Sequence, residues 1–257
     1  MRVTILQTDI QWNGAPANRL GAALMMDGCP GSDLYVLPEM WTTGFALDPA
    51  SAAETEDENG GTLAWMKGEA AGRGAALCGS VAVRTSDGRY RNREYFVPPG
   101  GLVTVYDKRH LFSPGGENRS YTSGDRRTVA EYKGVRFLLQ ICYDLRFPVW
   151  SRNKGDYDAI IYVANWPQSR HDVWTTLLKA RAIENQCYVI GVNRVGTDPN
   201  CRYRGGSVIV NPYGEVAAKC GDNIQGCATA DIDMEKLDKF RKAFPALGDA
   251  DTFSVAP

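Results

Sequence analysis

Apolar and polar positions fall along the chain in short blocks of two kinds. Residues 3–10, 34–37, 75–83, 90–97 and 102–106 are rich in β-branched, aromatic and aliphatic residues and predict strands. Residues 135–141, 159–164, 188–192, 207–210 and 226–232 repeat the pattern in the second half. Between them run stretches of helical spacing. Residues 16–27 carry Leu20, Ala23, Leu24 and Met26; 62–73 open on Thr62; 169–185 carry Val173, Leu177, Ala180 and Ile183; 233–244 open on Asp233 as a cap. Asp87-Gly88 is a strong hairpin signal between the third and fourth strands. Residues 108–124 form a long polar loop punctuated by Pro114, Gly115, Gly116 and Gly124. Strand and helix alternate without a linker or a solenoid repeat, which predicts one α/β domain over residues 1–257.

The ends of four strands stand out. The strand 34–37 runs into Glu39, 102–106 into Lys108, 135–141 into Cys142, and 159–164 into Asn165-Trp166. In α/β sheets, sites collect at the carboxyl ends of strands, where side chains escape the core. An acid, a cation, a thiol and a polar-aromatic pair suit one pocket.

Composition narrows the chemistry. Twenty-nine Lys and Arg against 30 Asp and Glu give a net charge of −1, which excludes the basic excess of a nucleic-acid protein. Two histidines leave little for His-based metal chemistry. The seven cysteines, at 29, 78, 142, 187, 201, 220 and 227, include no CxxC pair and read as reduced thiols of a cytoplasmic protein. Most free cysteines act as small buried hydrophobes. No apolar run approaches the ~20 residues of a membrane span, so no membrane association is expected. A cysteine nucleophile needs a base or cation to favour the thiolate and donors for an oxyanion. Cys142 is the candidate, because a polar cluster follows a buried strand there, as at a nucleophile elbow.

The stretches Leu37-Pro38-Glu39-Met40-Trp41, Tyr106-Asp107-Lys108-Arg109-His110-Leu111-Phe112 and Cys142-Tyr143-Asp144-Leu145-Arg146-Phe147-Pro148 resemble, in order and spacing, the three motifs of the nitrilase (carbon–nitrogen hydrolase) superfamily. Further matches are Tyr90-Arg91-Asn92, Gly116-Glu117, Ala164-Asn165-Trp166-Pro167 and Lys179-Ala180-Arg181-Ala182-Ile183-Glu184-Asn185. The stretches after Cys142, from Gln186 to Gly196 and from Phe244 to Phe253 are similar to the omega-amidase branch. The pattern departs at Asn118, where that branch carries His.

The resemblance implies a four-layer α-β-β-α sandwich, commonly a homodimer joined through its helix faces. It implies hydrolysis of the terminal amide of short 2-oxo dicarboxylic acid monoamides such as 2-oxoglutaramate and 2-oxosuccinamate, through a thioester on Cys142. Water and the small amide are the reactants, with no cofactor and no metal. By the same resemblance Glu39 is the general base and acid, Lys108 and the backbone N–H of Tyr143 hold the oxyanion, and Glu117 positions substrate or Lys108. Asn165, Trp166 and Arg146 are pocket candidates, with Arg146, Arg170 and Arg194 competing to bind the substrate carboxylate.

Rival readings remain open at this point. His110 is an alternative base for a Cys/His dyad, and His171 sits at a helix start. Arg84, Arg89, Arg91 and Arg93 read as a solvated basic hairpin, and Arg146 as a possible ion-pair partner of Asp144. Another C–N hydrolase activity, such as a carbamoylase or aliphatic amidase, and a non-catalytic dimeric scaffold are the alternative functions. The apolar tract 244–253 fits either an interface or a segment folded back on its own chain.

Overall fold

The computed structural model describes residues 1–56 and 61–255. In chain order its strands are β1 (Arg2–Gln7), β2 (Leu34–Val36), β3 (Glu54–Thr55), β4 (Ala76–Arg84), β5 (Tyr90–Val97), β6 (Thr104–Asp107), β7 (Val129–Tyr132) and β8 (Val135–Ile141). There follow β9 (Ala159–Ala164), β10 (Tyr188–Asn193), β11 (Val195–Thr197), β12 (Arg202–Arg204), β13 (Val208–Val210), β14 (Val216–Lys219) and β15 (Gly226–Asp231). One sheet has the order β15-β1-β2-β4-β5-β6, with β3 beside β4; the other has the order β14-β13-β10-β9-β8-β7. Each is built on three parallel strands, β1, β2 and β4 in one and β8, β9 and β10 in the other, flanked by antiparallel neighbours.

The two-residue period of the strands decides the layering. Val3, Ile5, Leu34, Val36, Ala76 and Cys78 enter the core shared with the second sheet, where Phe137, Leu139 and Ile161 meet them. Leu6, Tyr35 and Leu77 point the other way, onto Ala22 and Met26 of the helix Ala15–Asp27 and Leu63, Met66 and Ala70 of the helix Gly61–Arg73. The second sheet is covered in turn by Trp174, Leu178 and Ala182 of the helix His171–Asn185. The layers therefore run helix, sheet, sheet, helix, as the sequence led us to expect. No described helix is long and apolar enough to cross a membrane.

Several expectations need correction. The first strand stops at Gln7 rather than residue 10, because Thr8 and Asp9 turn aside to pair with Val195. The stretch 169–185 is a 3₁₀ turn, Gln168–Arg170, followed by the helix His171–Asn185. Of the supposedly solvated hairpin arginines, only Arg84 and Arg89 are exposed. Arg93 makes a forked pair with Asp107 on β6, at 2.7 and 3.0 Å, and reaches Glu56; Arg91 holds the Thr122 carbonyl at 3.2 Å. Not all seven cysteines are free thiols: a disulfide joins Cys29 to Cys227. They lie 198 residues apart, and only the pairing of β15 on β1 brings them together, so spacing carried no signal. The tract 244–253 returns to its own chain, with Gln186 Nε2 donating to the Phe244 carbonyl and Lys154 Nζ seated over the Phe253 ring.

Candidate active site

The chain leaves β2 through Leu37-Pro38 and presents Glu39, which is fully buried. It leaves β6 at Asp107 and presents Lys108, equally buried. Lys108 Nζ donates to Glu39 Oε1 at 2.8 Å and to Glu117 at 2.8 and 3.1 Å. Glu117 opens the short helix Glu117–Ser120 inside the long polar loop and takes a further bond from the Phe112 N–H at 2.6 Å. Burial by itself lowers a lysine pKa, but Glu117 and Glu39 outweigh it and hold Lys108 above its ordinary value. Burial raises Glu117, against the pull of Lys108.

Cys142 follows β8 at the first position of a 3₁₀ turn, Cys142–Arg146. Its φ of 45° lies in the left-handed region that non-glycine residues rarely occupy. Met40, next to Glu39, has φ 41°. Such strain costs on the order of 1–3 kcal/mol per residue and clusters where side chains must be aimed. Burial pushes the Cys142 thiol well above the ordinary range, the Glu39 charge adds to this, and Lys108 opposes it. The sulphur is therefore held as a thiol, at a cavity it shares with the Glu39 carboxylate.

Two further residues fasten this arrangement. Asn92, in the middle of β5, donates through Nδ2 to Glu39 Oε1 at 2.8 Å and to Glu117 Oε1 at 3.0 Å, so one amide ties both acids. Asp144 accepts four bonds: Ile141 N–H at 3.0 Å, the Tyr106 hydroxyl at 2.8 Å, and both the N–H and Nδ1 of His110 at 2.9 and 2.7 Å. It thereby locks the loop after β8 to the loop after β6. From the sequence, Asn92 carried no role and Asp144 only that of a possible ion-pair partner for Arg146.

The sequence candidates divide clearly in space. Glu39, Lys108, Cys142, Tyr143, Arg146, Asn165 and Trp166 line one cavity of about 250 Å³. Glu117 stands behind Lys108, outside the lining. Asn165 donates from its backbone to Glu39 Oε2 at 2.8 Å and from Nδ2 to the Glu39 carbonyl at 2.7 Å, so it orients the acid as well as lining the cavity. Arg146 lies over the Trp166 ring at 5.3 Å and Arg170 over the Phe112 ring at 5.2 Å; both face the cavity. Arg146 is therefore not the partner of Asp144, whose oxygens are taken by other donors. Arg194 does not line the cavity: it is fully buried and donates to the carbonyls of Ile10 at 2.9 Å and Val195 at 3.0 Å. His110 is bound to Asp144 and stacked on Phe147 at 3.8 Å, which removes it from the cavity wall.

Chemically, the arrangement offers a nucleophile, a carboxylate base at the same cavity, and a fixed cation. The peptide N–H groups of a turn follow the sulphur.

Comparison with known proteins agrees with this geometry. The carbon–nitrogen hydrolase family model matches residues 2–242. Omega-amidase YafV of Escherichia coli (strain K12) is 45% identical, the alignment covering 99% of this chain and 98% of that protein. The 2-oxoglutaramate amidase of Bacillus subtilis (strain 168) is 35% identical over 96% of each chain. A CN-hydrolase superfamily protein of Xanthomonas campestris, whose crystal structure carries an arsenic adduct in the active site, superposes with a TM-score of 0.94 at 39% identity and covers 100% of this chain and 99% of its own. The chain belongs to the carbon–nitrogen hydrolase family, within the nitrilase superfamily.

Proposed function

We propose that this protein is an omega-amidase, hydrolysing the terminal amide of short 2-oxo dicarboxylic acid monoamides, such as 2-oxoglutaramate and 2-oxosuccinamate, to the 2-oxo acid and ammonia. The observation that carries the reading is the buried Glu39–Lys108–Glu117 cluster against the Cys142 thiol, at a cavity with two arginines on its wall. The names of the E. coli and B. subtilis relatives support the substrate class. The cavity's size, below the ~300–1,000 Å³ of drug-sized sites, suits a substrate of four or five carbons.

The steps follow from the geometry. Because the resting sulphur is protonated, attack on the amide carbon requires Glu39 to take the thiol proton as the C–S bond forms. The negative charge that develops on the amide oxygen meets the Lys108 ammonium and the Tyr143 N–H, donors already oriented by the fold. Glu39 then gives its proton to the departing nitrogen, the C–N bond breaks, and ammonia leaves a thioester on Cys142. Water enters, Glu39 accepts its proton, and the second tetrahedral intermediate collapses to the free acid and the thiol. One carboxyl serves throughout because each transfer restores its previous state. Arg146 and Arg170 hold the carboxylate at the far end of the substrate, a pairing suited to the guanidinium fork.

Within this proposal the enzyme needs no cofactor and forms a homodimer through its helix faces. Ile183, on the exposed face of the helix His171–Asn185, is 56% exposed and Val149 is 55% exposed, which supports that contact. Sedimentation reads the oligomeric state directly.

A panel of amides with ammonia as readout tests the function. Turnover of 2-oxoglutaramate above N-carbamoyl amino acids and simple aliphatic amides is expected. Preference for either of the latter would replace this reading with another C–N hydrolase activity.

A further inference from the structure

The hairpin β11–β12 belongs to neither main sheet, and it forms one wall of the cavity through Asn200 and Cys201 of its loop and Tyr203 of β12. A short two-stranded ribbon is marginal by itself, so something must fix it. Backbone bonds from Val195 to Thr8 and from Asn223 to Arg204 hold its base, and Arg194, the buried cation left over once Arg146 and Arg170 are placed on the cavity wall, braces the rest.

Arg194 joins three pieces of chain. Its Nε donates to Val195 at 3.0 Å and its Nη2 to Thr197 at 3.3 Å, both on β11, while Nη2 also reaches the Ile10 carbonyl at 2.9 Å. The guanidinium lies over the Tyr203 ring, 4.6 Å from its centroid. Tyr203 in turn donates its hydroxyl to Asp198 Oδ2 at 2.5 Å, and Asp198 Oδ1 accepts from the N–H groups of Asn200 and Cys201, each at 2.7 Å. Opposite Tyr203 in the register stands Gly196, with φ 85°, where a Cβ would collide with the Asp9 carboxylate. The ring is therefore gripped on its face by Arg194 and at its hydroxyl by Asp198. Burying a guanidinium is costly; here Nε and Nη2 donate to main-chain carbonyls of the hairpin and of the segment after β1, and Nη2 also reaches Asp9 Oδ1 at 3.5 Å.

We propose that Arg194 is a positioning residue that fixes the Tyr203 ring as a wall limiting the length of the acyl group, which makes Tyr203 a specificity-determining residue. The inference rests on the amidase reading for its natural substrate, but the wall itself is a property of the cavity. With the ring held on two sides, a longer acyl chain meets an aromatic surface that does not give way. An ordered wall also keeps the substrate carbonyl at the sulphur.

The test compares kcat/KM for the five-carbon 2-oxo acid amide with that for its six-carbon homologue. Tyr203→Ala is expected to raise the six-to-five-carbon ratio about tenfold or more, since one methylene of pocket contact is worth about 10–200-fold. Tyr203→Phe keeps the ring and is expected to hold the ratio within about threefold. Arg194→Lys, with Arg194→Gln as the second variant should the lysine not fold, is expected to raise the ratio and KM together while kcat changes less. A Tyr203→Ala ratio within twofold of wild type overturns the wall, and an unchanged ratio and KM in the Arg194 variant overturns the brace. A second readout needs no turnover. Chloromethyl ketones ClCH2–CO–(CH2)n–COO−, which carry the growing chain on the acyl side, alkylate Cys142 with loss of chloride, mapped by peptide mass, and Tyr203→Ala is expected to relieve the discrimination against the longer reagents. If the wild type hydrolyses no 2-oxo amide, the amidase reading fails, while the alkylation ratio still decides the wall.

Discussion

The Asn92 amide nitrogen lies 2.8 Å from Glu39 Oε1, and both residues are fully buried between the sheets. The same nitrogen reaches Glu117 at 3.0 Å, so two acids that repel each other share a neutral donor as well as Lys108. Asn92 is the middle of a chain of contacts that keeps Glu39 aimed at the sulphur. Replacing it by alanine removes a hydrogen bond to a charged group, worth about 1.5–3 kcal/mol. We expect Asn92→Ala to lower kcat about 10- to 100-fold with KM little changed, and Asn92→Asp to do worse by adding a third acid. Steady-state kinetics on the amide substrate check both.

The base assignment separates from its histidine rival by two substitutions. Glu39→Gln keeps the size of the side chain but cannot take a proton, and a loss of about 10²–10⁴-fold in kcat follows from removing general-base catalysis. His110→Ala leaves the buried Asp144 short of donors, which costs about 1–3 kcal/mol and shifts Tm by about 2–4 °C per kcal/mol. It is expected to leave the pH dependence of turnover in place. A dead His110→Ala with an active Glu39→Gln would install the Cys/His dyad instead.

Reactivity of the free thiol reports the field around it. Burial and Glu39 hold Cys142 above the ordinary thiol range, while Lys108 favours the thiolate. Alkylation by iodoacetamide, followed by intact mass, should therefore keep accelerating above about pH 8.5, where an ordinary thiol levels off. Lys108→Met removes this opposing cation, so alkylation at any given pH becomes slower still. Faster alkylation of the variant would contradict the sign of this field.

Glu94 carries a stability consequence independent of turnover. It is fully buried on the same face of β5 as Asn92, and accepts from the Cys78 thiol at 3.2 Å. Desolvation holds its pKa well above the ordinary carboxylate value of 4.5. An acid raised in the folded state stabilises the fold below its unfolded pKa and loses that advantage as pH climbs toward its folded pKa. Glu94→Gln preserves the acceptor and cannot ionise. Its Tm relative to wild type is therefore expected to rise as pH increases from 5 to 8. Parallel melting curves across that range would refute the assignment.

Much of this architecture was legible in the chain because it depends on local pattern. The apolar strands β2, β8 and β9 run into Glu39, Cys142 and Asn165, and the short edge strand β6 runs into Lys108; the fold gathers all four residues around one cavity. What the sequence withheld depends on distant partners. Arg93 looked solvated until β6 supplied Asp107, and Cys29 gained Cys227 only when β15 joined β1. The hairpin β11–β12 carries charge and proline in place of a periodic pattern, so the wall it builds had no local signature. Arg194 stood among the candidates for a ligand, and only its distance from the cavity, spent on main-chain carbonyls, shows its different work.

The proposed reaction requires a covalent acyl-enzyme on Cys142 formed with loss of ammonia. Intact-mass analysis of enzyme quenched in acid during turnover of 2-oxoglutaramate detects that species. A 2-oxoglutaryl adduct mapping to Cys142 is expected, with ammonia released alongside it and neither signal in Cys142→Ala. Ammonia release at the wild-type rate by Cys142→Ala, or an adduct mapping to another residue, would contradict it.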